Sequence, residues 1–122
     1  MCGKPISVAE ADRPAWIYLG PADLLGERDV LPIVVGRQQL ILLRDGGRIS
    51  AAERACPHEG ADLSLGRCAA GRLFCPRHLA SFDLRDGSVS PGWRFRSLRL
   101  FPVVSTPDGL WLEMDEDLLL MK

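Results

Sequence analysis

Two histidines and four cysteines are the residues of this 122-residue chain best suited to chemistry, and they are not scattered. Both histidines sit beside a cysteine, in Cys56-Pro57-His58 and Cys75-Pro76-Arg77-His78, and the sixteen residues Glu59 to Phe74 separate the two boxes. Two thiolates and two imidazoles are a complete four-ligand set for zinc or for an iron–sulfur cluster. Structural zinc sites usually draw like ligands in pairs, C-x2–4-C and H-x3–5-H. Here each box supplies one ligand of each kind. A [2Fe–2S] rhombus with one iron on two thiolates and the other on two imidazoles fits mixed boxes, because each box then sends one ligand to each iron. The reading from another class is a zinc-stabilised binding module, to which the ligand types alone remain open.

A frame of short strands must hold these boxes. Trp16 to Leu19 is an apolar run stopped by Gly20-Pro21, and Leu31 to Val35 and Gln39 to Leu43 are joined by Gly36-Arg37, a hairpin signal. Asp45-Gly46-Gly47 turns the chain into Arg48 to Ala52. Phe82 to Leu84 and Gly87 to Val89 flank Arg85-Asp86, Arg96 to Val104 alternates in part, and Asp108-Gly109 leads into Leu110 to Leu112. Pro21 to Gly26 is the one short helical candidate. Such spacing predicts an all-β fold, an antiparallel sandwich or barrel. Residues 54 to 81, holding three of the four cysteines and both histidines, show little strand character and read as loops on that scaffold.

Composition bounds the function. Fifteen basic against sixteen acidic side chains give a net charge of -1, which argues against a general nucleic-acid binder. No segment approaches the roughly 20 apolar residues of a membrane helix, and residues 1 to 7 lack the apolar stretch of a secretory signal. The expected compartment is the cytoplasm, where thiols stay reduced and serve as ligands more often than as disulfides.

Cys56-Pro57-His58-Glu59-Gly60-Ala61-Asp62-Leu63-Ser64, followed by Cys75-Pro76-Arg77-His78-Leu79-Ala80-Ser81-Phe82-Asp83-Leu84, resembles the paired boxes of Rieske iron–sulfur proteins, and the resemblance runs from about Trp16 to Met114. The match is to the small Rieske-type ferredoxins of bacterial ring-hydroxylating dioxygenases. It implies a single Rieske domain over residues 1–122, with a cluster-binding subdomain at about 54–93 formed by two loops and carried on a β-sandwich. It also implies Cys56 and Cys75 on one iron and His58 and His78 on the other. The function that follows is a soluble one-electron carrier between a flavoprotein reductase and a terminal oxygenase, with no catalytic site of its own. A second reading within the family is the small subunit of assimilatory nitrite reductase, some members of which lack the ligands.

The resemblance also grades the site. Ala61 and Arg77 stand where respiratory-chain members carry a disulfide, and Ala80 and Phe82 stand where those members place hydroxyl donors to the sulfurs. Fewer donors imply a potential at the low end of the His-ligated range of about −150 to +300 mV. Gly60 follows the family pattern, whereas Leu79 replaces a usual glycine. Ser90-Pro91-Gly92-Trp93 occupies the place of the loop that shields the cluster, and Trp93 reads as core or as a partner contact. Cys68 is superfluous as a ligand and reads as an inert thiol, and Cys2 lies in a terminus. Residues 67 to 99 hold seven arginines against Asp83 and Asp86, so a basic rim that steers an acidic partner is one reading of this segment. Residues 113 to 121 could form a short docking helix.

Overall fold

The structure, a computed structural model, describes residues 15–57, 60–77 and 80–114. Ten strands follow in chain order: β1 (Ala15–Gly20), β2 (Val30–Val35), β3 (Gln38–Asp45), β4 (Arg48–Glu53), β5 (Arg67–Ala69), β6 (Arg72–Phe74), β7 (Ser81–Asp83), β8 (Leu100–Phe101), β9 (Val103–Thr106) and β10 (Gly109–Met114). They form three antiparallel sheets ordered β1-β10-β9, β2-β3-β4-β8 and β5-β6-β7. No α-helix occurs among the described residues, in keeping with the all-β expectation.

The layering follows from one apolar run. Leu40, Ile41, Leu42 and Leu43 on β3 are all buried, so the centre of this strand has no solvent face. Alternation sends successive side chains to opposite faces of a strand. Leu40 and Leu42 therefore join Val35, Ala51, Leu110 and Leu112 in one core, against the β1-β10-β9 sheet. Ile41 and Leu43 join Ala52, Leu63, Leu73 and Phe82 in a second core, against the β5-β6-β7 sheet. The four-stranded sheet is thus the middle layer, and β3 is its spine. Each fully buried leucine or isoleucine here contributes about 1.5–3 kcal/mol of transfer free energy.

The hairpin turns stand where the sequence predicts them, with Gly36-Arg37 joining β2 to β3 and Gly46-Gly47 joining β3 to β4. Three expectations change. Pro21 to Gly26 forms consecutive turns, with Leu24 N–H donating to the Pro21 carbonyl and Gly26 N–H to that of Asp23, and no helix. Arg96 to Val104 is not one strand. Pro102, which has no N–H to give a ladder, separates β8 from β9, and the chain passes there from the middle sheet to the outer one. Residues 67 to 74, read as loop, form the β5–β6 hairpin, whose three-residue strands are too short to show alternation. Its turn, Ala70-Gly71, places a non-glycine residue at φ 54, so the usual Asn-Gly cue is missing.

Candidate metal centre

The two cysteine boxes occupy loops of one plan. In the first, Ala55 pairs with Asp62 in an antiparallel bridge and residues 56 to 61 form the loop between them. In the second, Phe74 pairs with Ser81 and residues 75 to 80 form the loop. Each loop is closed by the same bond: Cys56 N–H donates to the Ala61 carbonyl at 2.8 Å, and Cys75 N–H to the Ala80 carbonyl at 3.1 Å. Both boxes are therefore six-residue hairpin loops that begin at a cysteine and end at an alanine. Gly60 sits at φ +76, a conformation favoured for glycine, and its N–H closes an inner turn onto the Cys56 carbonyl.

Strand direction brings the two loops to one end of the molecule. Box 1 follows the end of β4, where Glu53 pairs with Leu40. The opposite end of β4 begins at Arg48 beside Asp45, and the Asp45 carboxylate accepts the N–H of Gly71 in the β5–β6 turn. β6 then runs from that turn to Cys75, toward the end that carries box 1. Gly66 fixes the approach of the two segments: a Cβ there would lie 2.2 Å from the Phe74 carbonyl oxygen, directly before Cys75. Only glycine allows this contact.

Cys56 and Cys75 are 3% and 5% exposed and belong to the same core, with Ala61, Leu63, Leu73 and Phe82. His58 and His78, the other expected ligands, lie outside the described residues, as do Glu59 and Leu79. Among the described residues no three His, Cys, Asp or Glu side chains converge on a metal site. The described half of the donor set is two cysteine sulfurs buried in an apolar core, a soft donor type that suits iron–sulfur ligation better than a hard oxygen-seeking cation. The set needs further ligands from the box tips, where the sequence places one imidazole each.

The loops share a backbone plan but have different anchors. Asp62, just past box 1, accepts two bonds from the Arg54 guanidinium, both at 2.9 Å, and two more from the Ser64 N–H and hydroxyl. Arg54 first, then Ser64, holds the Asp62 carboxyl well below the usual carboxylate range. Ser81, just past box 2, is buried; its hydroxyl accepts from Arg72 Nε at 2.7 Å and its N–H donates to Ser90 Oγ at 3.1 Å. Ser90 N–H returns to the Ser81 carbonyl, which ties the 90–96 loop to box 2. At its other end Arg96 makes a two-pronged pair with Glu53, both bonds 2.7 Å, three residues before Cys56. The 90–96 loop therefore spans from the exit of box 2 to the entry of box 1. Its ring of Trp93 meets Phe95 edge-on at 6.0 Å, and Phe95 meets buried Phe82 at 5.9 Å.

The sequence reading assigned no role to Arg54, Asp62, Glu53 and Arg96; opposite charges bracketing box 1 were an available signal for Arg54 and Asp62, whereas Glu53 and Arg96 are too far apart in the chain to give one. Ala80 and Phe82 are both fully buried and carry no hydroxyl. Cys68 is half-buried, and burial first, then Asp45 and Asp29, pushes its thiol up to about 11, so it stays neutral and unreactive. Trp93 is neither core nor fully exposed, but half-buried on the 90–96 loop. Cys2 and the 115–122 tail lie outside the described residues. A cavity of about 210 Å³ lined by Asp45, Arg48, Gly71 and Arg85 lies at the end opposite the boxes.

A family model for the Rieske [2Fe-2S] domain matches residues 15–102, and the chain belongs to that family. Membership implies a Rieske-type [2Fe–2S] cluster as its cofactor. The fold is similar to that of the ferredoxin of carbazole 1,9a-dioxygenase from Nocardioides aromaticivorans, with a TM-score of 0.70 at 23% identity over 83% of this chain and 98% of that one. In sequence it is 29% identical to human apoptosis-inducing factor 3 over 71% of this chain and 14% of the relative. It is 32% identical to a Pseudomonas vanillate O-demethylase oxygenase subunit over 65% of this chain and 26% of the relative. The chain thus spans 14% and 26% of the length of these two curated relatives. No helix among the described residues is long and apolar enough to cross a membrane.

Proposed function

We propose that this chain is a one-electron carrier in which Cys56 and Cys75 hold one iron of the cluster and His58 and His78 the other. The observation that carries the proposal is the pair of matching six-residue loops at one end of the molecule, each burying its first cysteine in a common core. When bound, the cluster takes up and returns a single electron without a change in substrate bonds. The protein's part is to exclude water from the thiolates with Leu63, Leu73 and Phe82, and to lock the loops through Asp62 and Ser81. The absence of hydroxyls at Ala80 and Phe82 favours the low end of the family's potential range. Residues 1–122 form one Rieske domain in this reading, with the cluster-binding part at about 54–93.

The likeness to the ferredoxin of carbazole 1,9a-dioxygenase, nearly all of which is covered, supports a terminal oxygenase as acceptor; a flavoprotein reductase as donor and a cytoplasmic location complete this reading on the sequence resemblance alone. A second reading, the Rieske portion of an oxygenase, is favoured by the vanillate O-demethylase subunit relationship. Both histidines here are assigned to the cluster, so residues 1–122 do not themselves supply the two histidines and carboxylate of an oxygenase iron.

The test is chemical and spectroscopic. Purified protein is expected to be red-brown with two irons and two sulfides per chain. Pulsed EPR of the reduced form should show nitrogen coupling from two imidazoles, one of which is lost in His58→Ala. A colourless, zinc-containing protein overturns the proposal, and aromatic hydroxylation by the isolated chain overturns the carrier role.

A further inference from the structure

Resting on the carrier reading, a second inference concerns how a partner reaches the cluster end. The seven arginines between residues 67 and 99 are not equivalent. Arg85 and Arg72 lie 2.8 and 3.9 Å from the Asp83 carboxylate, and Arg96 is committed to Glu53. Those charges are compensated within the fold. Arg77, in box 2, and Arg94, midway along the 90–96 loop, are exposed and meet no carboxylate among the described residues. Arg67 stacks on the Phe74 ring, 4.6 Å from its centroid and one residue before Cys75, and keeps its charge.

The carboxylates described at this end are already spent, Glu53 on Arg96 and Asp62 on Arg54. Arg99, exposed and with its carbonyl accepting the Glu53 N–H, adds a further positive charge, so even with Glu59 counted from the sequence the arginines outnumber the uncommitted acids here. The opposite end differs: Asp45, Asp83 and Asp86 balance Arg48, Arg72 and Arg85. Among the described residues, uncompensated positive charge is thus concentrated at the box end.

We propose that Arg77 and Arg94, with half-buried Trp93 beside them and Arg67 at the flank, form a cationic docking face that receives a carboxylate-rich surface of a redox partner protein. A small cluster of uncompensated charge around an aromatic contact suits protein docking, where rim charges set the encounter rate and an aromatic gives contact area. A nucleic-acid face would need a broader basic surface than this chain of net charge -1 provides.

Small inorganic probes test the polarity without a known partner. Reduced protein passes one electron to hexacyanoferrate(III), which becomes hexacyanoferrate(II); no bond or proton changes hands. At low ionic strength Arg77→Glu and Arg94→Glu should each slow this oxidation about fivefold and flatten its fall with salt. They should speed oxidation by the cationic tris(phenanthroline)cobalt(III). Arg48→Glu, at the other end, should leave both rates unchanged. As a readout independent of electron transfer, the redox-inert hexacyanochromate(III) should broaden amide signals of residues 67–77 and 90–96 more than those of 46–50. Oligoglutamate should displace it at lower concentration than oligothymidylate of equal charge. Equal broadening at the two ends, salt-independent rates, an Arg48→Glu effect as large as Arg77→Glu, or the reverse order of displacement overturns the inference. A protein without visible absorption defeats the carrier reading instead, while the chromate experiment still reports on the face.

Discussion

Box 1 and box 2 present their cysteines through the same six-residue loop, yet they are held by different physics. Box 1 is closed by a partly exposed ion pair, Arg54 with Asp62, whose side chains are 30% and 36% exposed. Box 2 is closed by a buried hydroxyl, Ser81, set between Arg72 and the 90–96 loop, and by strands on both sides. Exposed pairs are screened by water and salt, whereas a buried polar group stripped of its partner bears the full desolvation penalty. The loop plan is common property; resistance to perturbation is not. Box 2, continuous with the sheet, is the firmer half of the site.

The largest test treats the loops as equals. Cys56→Ala and Cys75→Ala should each abolish cluster retention, read as loss of visible absorption and of bound iron, with the fold retained by circular dichroism. If one variant keeps its cluster, the equivalence of the boxes is wrong. Next in size, Gly66→Ala forces a Cβ against the Phe74 carbonyl and should cost about 1–3 kcal/mol in urea unfolding, with faster cluster loss. Unchanged stability would mean that the close approach does not set the spacing of the loops.

The anchors themselves should then separate. Ser81→Ala removes the acceptor of Arg72 Nε and is expected to cost about 1–3 kcal/mol at any salt concentration. Arg54→Ala should cost less, and the difference from the parent protein should shrink in high salt. Equal and salt-independent losses would erase the distinction between the boxes.

Acid offers a smaller probe of the end away from the cluster. Asp83, held down to about 2 chiefly by Arg85, with burial opposing and Arg72 adding a lesser attraction, has a folded-state pKa below the ordinary carboxylate value. Its contribution is therefore complete above about pH 5 and is lost as pH falls toward the folded value. The urea midpoint should drop between about pH 5 and pH 3, and Asp83→Asn should flatten that slope. A slope unchanged by the substitution removes Asp83 as its source. The smallest effect is expected at Cys68, whose thiol stays neutral at ordinary pH. Cys68→Ala should retain the full complement of iron, and a measurable loss would make this residue part of the site.

Much of this was legible in the chain. The mixed Cys-His boxes name their own chemistry because ligand type and spacing are local properties, and the glycine-rich hairpin turns do the same for the strands they join. The β5–β6 hairpin was not legible, since three-residue strands carry no periodicity and Ala70-Gly71 is a weak turn signal. Nor was the break at Pro102 placed, although proline's missing donor explains it once the two sheets are seen.

The residue identities by themselves pointed to an all-β scaffold and to two Cys-His boxes with the types and spacing of metal ligands. Only tertiary structure decided which end of the sheets the boxes share, which carboxylate each arginine meets, and hence where positive charge is left uncompensated. The physical reason is range. Ligand spacing and turn geometry act within a few residues, while the pairing of Glu53 with Arg96, or the passage of Gly66 over Phe74, depends on strand direction and register, which residue order alone does not state.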